Sequence, residues 1–253
     1  QDKPLGTAHA VLCAAEHLEG PVVVAFADTL FRADFKLDQH ADGVIWVKRV
    51  DDPRAFGVVQ LGEDGRIVEF VEKPQQFVSD MAIIGIYYFK DGARLRRELQ
   101  YLIDNDIKGG GEYQLTHALE NMKNAGLRFV PGTVDAWMDC GNKDVTVETN
   151  GRILDFVQFD EELVSPNAEL VNARIIPPCF IGPGAKIVNS SVGPHVSIGA
   201  RSTVTDSTLT DCIVGEDSQL QRITLRNSMI GRHAVLDGQF VSLSLGDYSR
   251  LEG

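Results

Sequence analysis

The sequence predicts a chain in two parts, an α/β sheet over residues 1–156 and a parallel β-solenoid over residues 157–253. Three observations predict it. Aliphatic residues recur at steps of six or five through the last third, the earlier residues alternate helical apolar spacing with short apolar runs, and the change of pattern falls near Arg152. Each implies a different local geometry.

The solenoid is the plainer of the two. Ile175, Ile181, Ile187, Val192, Ile198, Val204, Leu209, Val214, Leu220, Leu225, Ile230 and Leu236 mark the repeat, and Gly follows Ile181, Val192, Ile198, Val214 and Ile230 directly. A helix turns every 3.6 residues and cannot keep that period on one face. A triangular prism can: each side is one short strand, the aliphatic residue points inward, and small or polar residues turn the corners. The shorter steps, at Asn189-Ser190-Ser191-Val192, Asp206-Ser207-Thr208-Leu209 and Asp211-Cys212-Ile213-Val214, predict tightened corners.

In the first part, Ala8, Val11, Leu12, Ala15 and Leu18 share one helical face, and Gly20-Pro21 closes that helix. Residues 22–27 form a continuous apolar run, as in a parallel strand covered on both faces, with Asp28 at its carboxyl end. Strand-like runs follow at 43–50, 56–61, 67–71 and 81–89, with Glu63-Asp64-Gly65-Arg66 as a hairpin turn. Helices are expected at 93–104 and 113–124, and again after Asn142. Ligands of such α/β sheets sit beyond the carboxyl ends of strands, which makes Asp28 a candidate by position.

Composition excludes several functions. A net charge of −12 over 253 residues leaves no broad basic surface for a polyanion, so nucleic acid is not an expected partner. A small phosphorylated substrate stays open, because one lysine and a divalent cation can hold it locally. No run approaches the roughly 18 apolar residues of a membrane span, and Gln1-Asp2-Lys3-Pro4 does not begin a signal peptide, so a cytoplasmic protein without a membrane partner is expected. Cys13, Cys140, Cys179 and Cys212 lack the spacing of a zinc site or a disulfide framework. A chain that begins with Gln reads as processed, trimmed or partial.

Six short motifs follow one another in the first part. They are Gln1-Asp2-Lys3-Pro4-Leu5-Gly6-Thr7-Ala8-His9-Ala10, Ala27-Asp28-Thr29-Leu30-Phe31, Phe56-Gly57-Val58-Val59, Glu72-Lys73-Pro74, Gly85-Ile86-Tyr87 and Trp137-Met138-Asp139-Cys140-Gly141. Together they resemble the sugar-1-phosphate nucleotidylyltransferases, many of which carry a hexapeptide β-helix behind the catalytic domain. The resemblance implies a mixed, mostly parallel, Rossmann-like nucleotidyltransferase sheet, N-terminally incomplete, followed by a left-handed parallel β-helix. The implied reaction is attack of a sugar 1-phosphate oxygen on the α-phosphorus of a nucleoside triphosphate, with release of pyrophosphate.

The same resemblance implies the roles. Asp28 and Asp139 would hold Mg²⁺, a hard ion that takes carboxylates beside phosphates and water; each would also serve as a cap after a strand or before a helix. Lys73 would grip the sugar phosphate, where a solvated lysine at a strand end is the ordinary alternative. Glu72 would accept hydrogen bonds from sugar hydroxyls, Gly57 and Gly85 would let backbone approach the sugar, and Glu112 resembles a further sugar-side residue. Turn or packing roles compete for the glycines, and a first-turn acid for Glu112. Gln1, Gly6 and Thr7 would read the base, with Thr7 otherwise capping the helix that follows.

The family's Gly-rich triphosphate loop, which ends in Arg and precedes a Pro-Lys element, has no match; Gly109-Gly110-Gly111 lies elsewhere. The chain alone is therefore expected to be inactive in transfer, and the apolar run at 22–27 to lack its family neighbour. Two other functions stay open. One is a hexapeptide acyltransferase using His195 or His233 as base. The other is a non-catalytic nucleotide-sugar-binding protein. Leu5-Gly6-Thr7-Ala8-His9-Ala10 resembles thymidylyl, uridylyl and guanylyl transferases alike; a thymidylyl transferase acting on glucose 1-phosphate rather than mannose 1-phosphate is favoured, and a homo-oligomer through the β-helix is expected.

Overall fold

The computed structural model describes residues 1–33, 37–38, 40–240 and 242–252. They form two compact units, Gln1–Trp137 and Met138–Gly253.

In the first unit α1 (Thr7–Leu12) leads to β1 (Val22–Ala25), β2 (Thr29–Arg32), β3 (Gly43–Arg49), β4 (Gly57–Leu61), β5 (Ile67–Glu72) and β6 (Met81–Phe89). Then come α2 (Gly92–Asp104), α3 (Leu115–Asn124) and β7 (Phe129–Thr133), and β8 (Ala136–Asp139) carries the chain into the second unit. The sheet order is β5-β4-β6-β3-β7, with β1 also on β6. The α/β character is as expected, but the direction of pairing is not mostly parallel. β4 and β5 form the antiparallel hairpin expected at residues 63–66, but β6 also runs antiparallel to β1, β3 and β4, and β3–β7 alone is parallel among these pairings. Alternation along a strand reports which side chains are buried; it carries no information on the neighbour's direction.

β1 shows the consequence. It pairs antiparallel with β6, and Val23 is 64% exposed, so the run at 22–27 is neither parallel nor covered on both faces. The expected long first helix is also divided: α1 stops at Leu12, and a 3₁₀ turn over Ala15–His17 carries the chain to the buried Leu18. Ala8, Val11 and Leu18 still reach the core with Leu95, Leu99 and Leu102 of α2, Leu115 and Leu119 of α3, and Phe89 and Phe129 of the sheet. Asp91 caps α2 by accepting the Arg94 N–H at 3.0 Å.

The second unit begins with α4 (Lys143–Val157), capped by Asn142, whose side chain accepts the amides of Asp144 and Val145. A parallel solenoid of about five turns follows. One face stacks Glu169–Val171, Lys186–Val188, Thr203–Thr205, Gln219–Gln221, Val235–Asp237 and Arg250–Glu252. Of the aliphatic residues that marked the repeat, all from Ile181 to Leu236 are buried to 2% exposure or less. The short steps are corners turned by left-handed backbone at Asn189, Asp206 and Asp211. Asn and Asp tolerate that conformation better than other side-chain-bearing residues, which explains their recurrence there.

Candidate active site

Asp28 is exposed in the turn between β1 and β2. The turn lies on β6 where that strand bulges: its register with β3 shifts between Ile45 and Val47, and Gly85 sits in the bulge at φ +80°. Phe26 donates its N–H to the Gly85 carbonyl at 2.9 Å. A Cβ on Gly85 would meet Phe26 Cδ2 at 3.0 Å and Thr29 Oγ1 at 3.1 Å, so only glycine combines that backbone with that approach. Beside the turn opens a pocket of about 540 Å³ lined by Thr7, Ala10 and Val11 of α1 and by residues 24–28. Thr7 and Asp28 thus share one rim.

Gln1, Gly6 and Thr7 lie at the start of α1. Gln1 Nε2 donates to the Gly6 carbonyl at 3.1 Å and lies 2.9 Å from His9 Nδ1. Gly6 (φ +105°) passes so close to the next segment that a Cβ would stand 2.5 Å from the Tyr113 carbonyl oxygen. Around it the Tyr113 N–H donates to Leu5 at 2.8 Å and the Ala8 N–H to Tyr113 at 2.9 Å. Thr7 does not cap its own helix, where Gly6 is the N-cap residue. Its hydroxyl instead accepts the Leu115 N–H at 2.9 Å and donates to Gln114 Oε1 at 3.3 Å, which serves the start of α3. Glu112 precedes α3 rather than joining its first turn. It closes the triple-glycine loop through paired backbone bonds with Gly109, and Gln114 Nε2 donates to its carboxylate at 3.2 Å.

A second group gathers one residue further along α3. Thr116 Oγ1 donates to Glu72 Oε2 at 2.5 Å, and Gly57 pairs with Glu72 across the β4–β5 hairpin. A Cβ on Gly57 would lie 3.0 Å from that carboxylate oxygen. Burial first, and then the negative charge of Glu72, push the Tyr87 phenol far above its usual range. Lys73 follows at the hairpin's end with φ 42°, exposed, its N–H donating to Phe56 at 3.0 Å. The first turn of α3 therefore ties the Gln1–Thr7 group to the Gly57–Glu72 group. Thr116 was given no role from the sequence, and Tyr87 was named only as part of a motif. The available signal was a hydroxyl beside Leu115, Ala118 and Leu119, a polar residue at a buried edge of a helix.

Asp139 belongs to the second unit. Its Oδ1 accepts the Gly141 N–H at 2.9 Å, and its carbonyl accepts the Thr149 hydroxyl at 2.8 Å. Of the solenoid histidines, His195 has Nε2 at 3.1 Å from Asp155 and Nδ1 at 3.4 Å from Asp211, while His233 stacks on Tyr248 at 4.7 Å. Both nitrogens of His195 face carboxylates within the second unit.

Residues 1–155 match the family model described as nucleotidyl transferase. The match and the pocketed α/β sheet define the class of protein. The whole chain is 30% identical to a glucose-1-phosphate thymidylyltransferase of Streptomyces antibioticus and equally to one of Streptomyces griseus, spanning 77% of each relative. A narrower match covers 61% of the chain and 37% of the bifunctional protein GlmU of Methanococcus vannielii, at 28% identity. The chain belongs to the sugar-1-phosphate nucleotidylyltransferases, enzymes of nucleotide-sugar synthesis that join a nucleotidyl group to a sugar 1-phosphate.

Proposed function

We propose that the enzyme transfers a thymidylyl group from dTTP to glucose 1-phosphate, giving dTDP-glucose and pyrophosphate. The observation that carries this choice of base and sugar is the similarity to two glucose-1-phosphate thymidylyltransferases over the full chain, solenoid included. A phosphate oxygen of glucose 1-phosphate bonds to the α-phosphorus, the bond from that phosphorus to the bridging oxygen breaks, and the electron pair leaves with pyrophosphate. Catalysis then rests on alignment of two anions and on neutralising charge at the phosphoryl oxygens.

Lys73 holds the sugar phosphate, with its backbone fixed at the hairpin end and its ammonium in solvent reach. Glu72, steadied by Thr116, accepts sugar hydroxyls, and Gly57 and Gly85 keep side chains out of the sugar's way. Gln1, Gly6 and Thr7 border the base, and Glu112 is a further sugar-side residue. Asp28 and Asp139 are the residues that would hold Mg²⁺. The donor chemistry fits: both are carboxylates, Asp28 is exposed at the pocket rim, and the Gly141 bond engages only Oδ1 of Asp139. Bound there, the ion would screen the triphosphate and polarise the α-phosphoryl oxygens.

A cytoplasmic setting accords with these soluble substrates. Assembly of copies through the solenoid is proposed from the partly exposed Leu170, Val171 and Phe180 on its first coils. The experiment is pyrophosphate release by the enzyme, with dTTP, UTP and GTP each offered with glucose 1-phosphate and mannose 1-phosphate. Preference for dTTP and glucose 1-phosphate is expected; a higher kcat/KM for another pair would replace this assignment.

A further inference from the structure

The second unit joins Asp139 to the solenoid through one helix, and the joint is made by adjacent residues. Thr149, buried to 5% exposure, donates its hydroxyl to the Asp139 carbonyl at 2.8 Å. Thr146 donates to the carbonyls of Cys140 and Asn142 at 3.1 and 2.7 Å. The loop that carries Asp139 is therefore fastened to α4 from within.

Asn150, the next residue, faces the coils. Its Nδ2 donates to the His195 carbonyl at 3.2 Å and its Oδ1 accepts the Ser197 hydroxyl at 2.6 Å, so a single amide is held from both ends. Two further fastenings flank it. In the first turn of α4, Lys143 Nζ donates to the Asn227 carbonyl at 2.9 Å and Asp144 accepts from Asn227 Nδ2 at 2.8 Å. Towards the last turn, Asp155 meets the His195 ring at 3.1 Å. Gly151 lets the helix come close, since a Cβ there would already be 3.3 Å from His195 Cγ. Val147 and Leu154 of the same helix are both buried, at 3% exposure. Apolar contact is non-directional and tolerates sliding; paired hydrogen bonds to a fixed coil do not.

We propose that the solenoid acts as a positioning element for Asp139. Ser197 and Asn150 set the register of α4, and Thr149 passes that register to the loop holding the carboxylate. Asn150, Ser197 and Thr149 are positioning residues that touch no substrate, and the inference rests on the reading of Asp139 as a metal ligand. Outer partners that orient a ligating side chain commonly change metal affinity by about tenfold or more when removed.

The test is binding of Mn²⁺ alone, followed by the electron paramagnetic resonance signal of the free ion, on the full chain. It is paired with hydrogen–deuterium exchange of residues 138–142. Thr149→Val, Asn150→Leu and Ser197→Ala should each weaken Mn²⁺ binding about tenfold and speed exchange of that loop. Thr149→Ser, which keeps the hydroxyl, should restore both. Asp139→Asn is the control on the underlying reading and should remove the binding. If Asp139→Asn removes it while the other three variants keep wild-type affinity and exchange, the positioning role is overturned and the ligand assignment stands. Wild-type affinity in Asp139→Asn overturns the ligand assignment itself.

Discussion

The two units record their sequences in different ways. In the solenoid each coil rests on the one before it, at a separation of 15 to 17 residues, so a residue's neighbours are fixed by adding one repeat. In the α/β unit the contacts that make the site reach across the chain. Thr7 meets Leu115, Gly6 meets Tyr113 and Glu72 meets Thr116, each over 40 residues or more. A periodic structure repeats one local solution, whereas an enzyme site needs unlike residues brought to one point. The solenoid is therefore readable and chemically uniform; the α/β unit is less readable and holds every candidate site residue but Asp139.

The largest effect should separate chemistry from stability. Lys73→Ala should lower the rate of pyrophosphate release about 10²–10³-fold, as loss of a charged group at a phosphoryl centre does. Its melting temperature should not move, because the side chain is exposed. A parallel fall in stability would mean that Lys73 is a structural hairpin residue.

Ile187→Ala should do the reverse. Its side chain is fully buried between coils, and truncation there should cost about 2–5 kcal/mol in chemical denaturation. Loss of exchange protection should concentrate in the coils at Leu170 and Val204, which stack directly on Ile187. A uniform loss across both units would show that the chain unfolds as one body.

Smaller again is the effect of Thr116→Val, which keeps shape and removes the hydrogen bond to Glu72. A hydrogen bond to a charged group contributes about 1.5–3 kcal/mol, so KM for glucose 1-phosphate should rise about tenfold with KM for dTTP unchanged. Equal rises in both would place Thr116 at the junction with the Thr7 group rather than on the sugar side.

The mildest test concerns protons in the solenoid. Burial raises the Cys212 thiol from 9.0 to about 11, above the unfolded value. The folded chain keeps a proton that the unfolded chain releases, so this contribution is complete below pH 9.0 and is lost as pH rises to about 11. Unfolding followed across that window should show the decline, and Cys212→Ser should flatten it. Exposed Cys13 should react with a thiol reagent at pH 8 well before Cys212.

How much of the site was legible follows the same division. Gln1, Gly6 and Thr7 were readable as a group, because they are adjacent and carry a motif. Their attachment to Tyr113 and Leu115 was not, since that joint is mostly backbone and backbone bonds leave no mark on residue identity. Thr7 illustrates it: a threonine ahead of a helix reads as that helix's cap, and here it serves another helix over a hundred residues away. Glu72 was legible from its neighbours, while the hydroxyl of Thr116 against it was not.

By itself the sequence determined the solenoid, its inward residues and its corners, because a short period and small corner residues admit few other structures. It also determined the family, through six motifs kept in order. Tertiary structure alone decided that β6 runs antiparallel to three neighbours and that the Asp28 turn rests on a bulge at Gly85. It also decided that α4 is pinned to the coils through Asn150. Those features depend on which distant segments meet, and side-chain periodicity is blind to partners. The repeat that announced the solenoid gave no hint that its corner residues hold the helix behind Asp139.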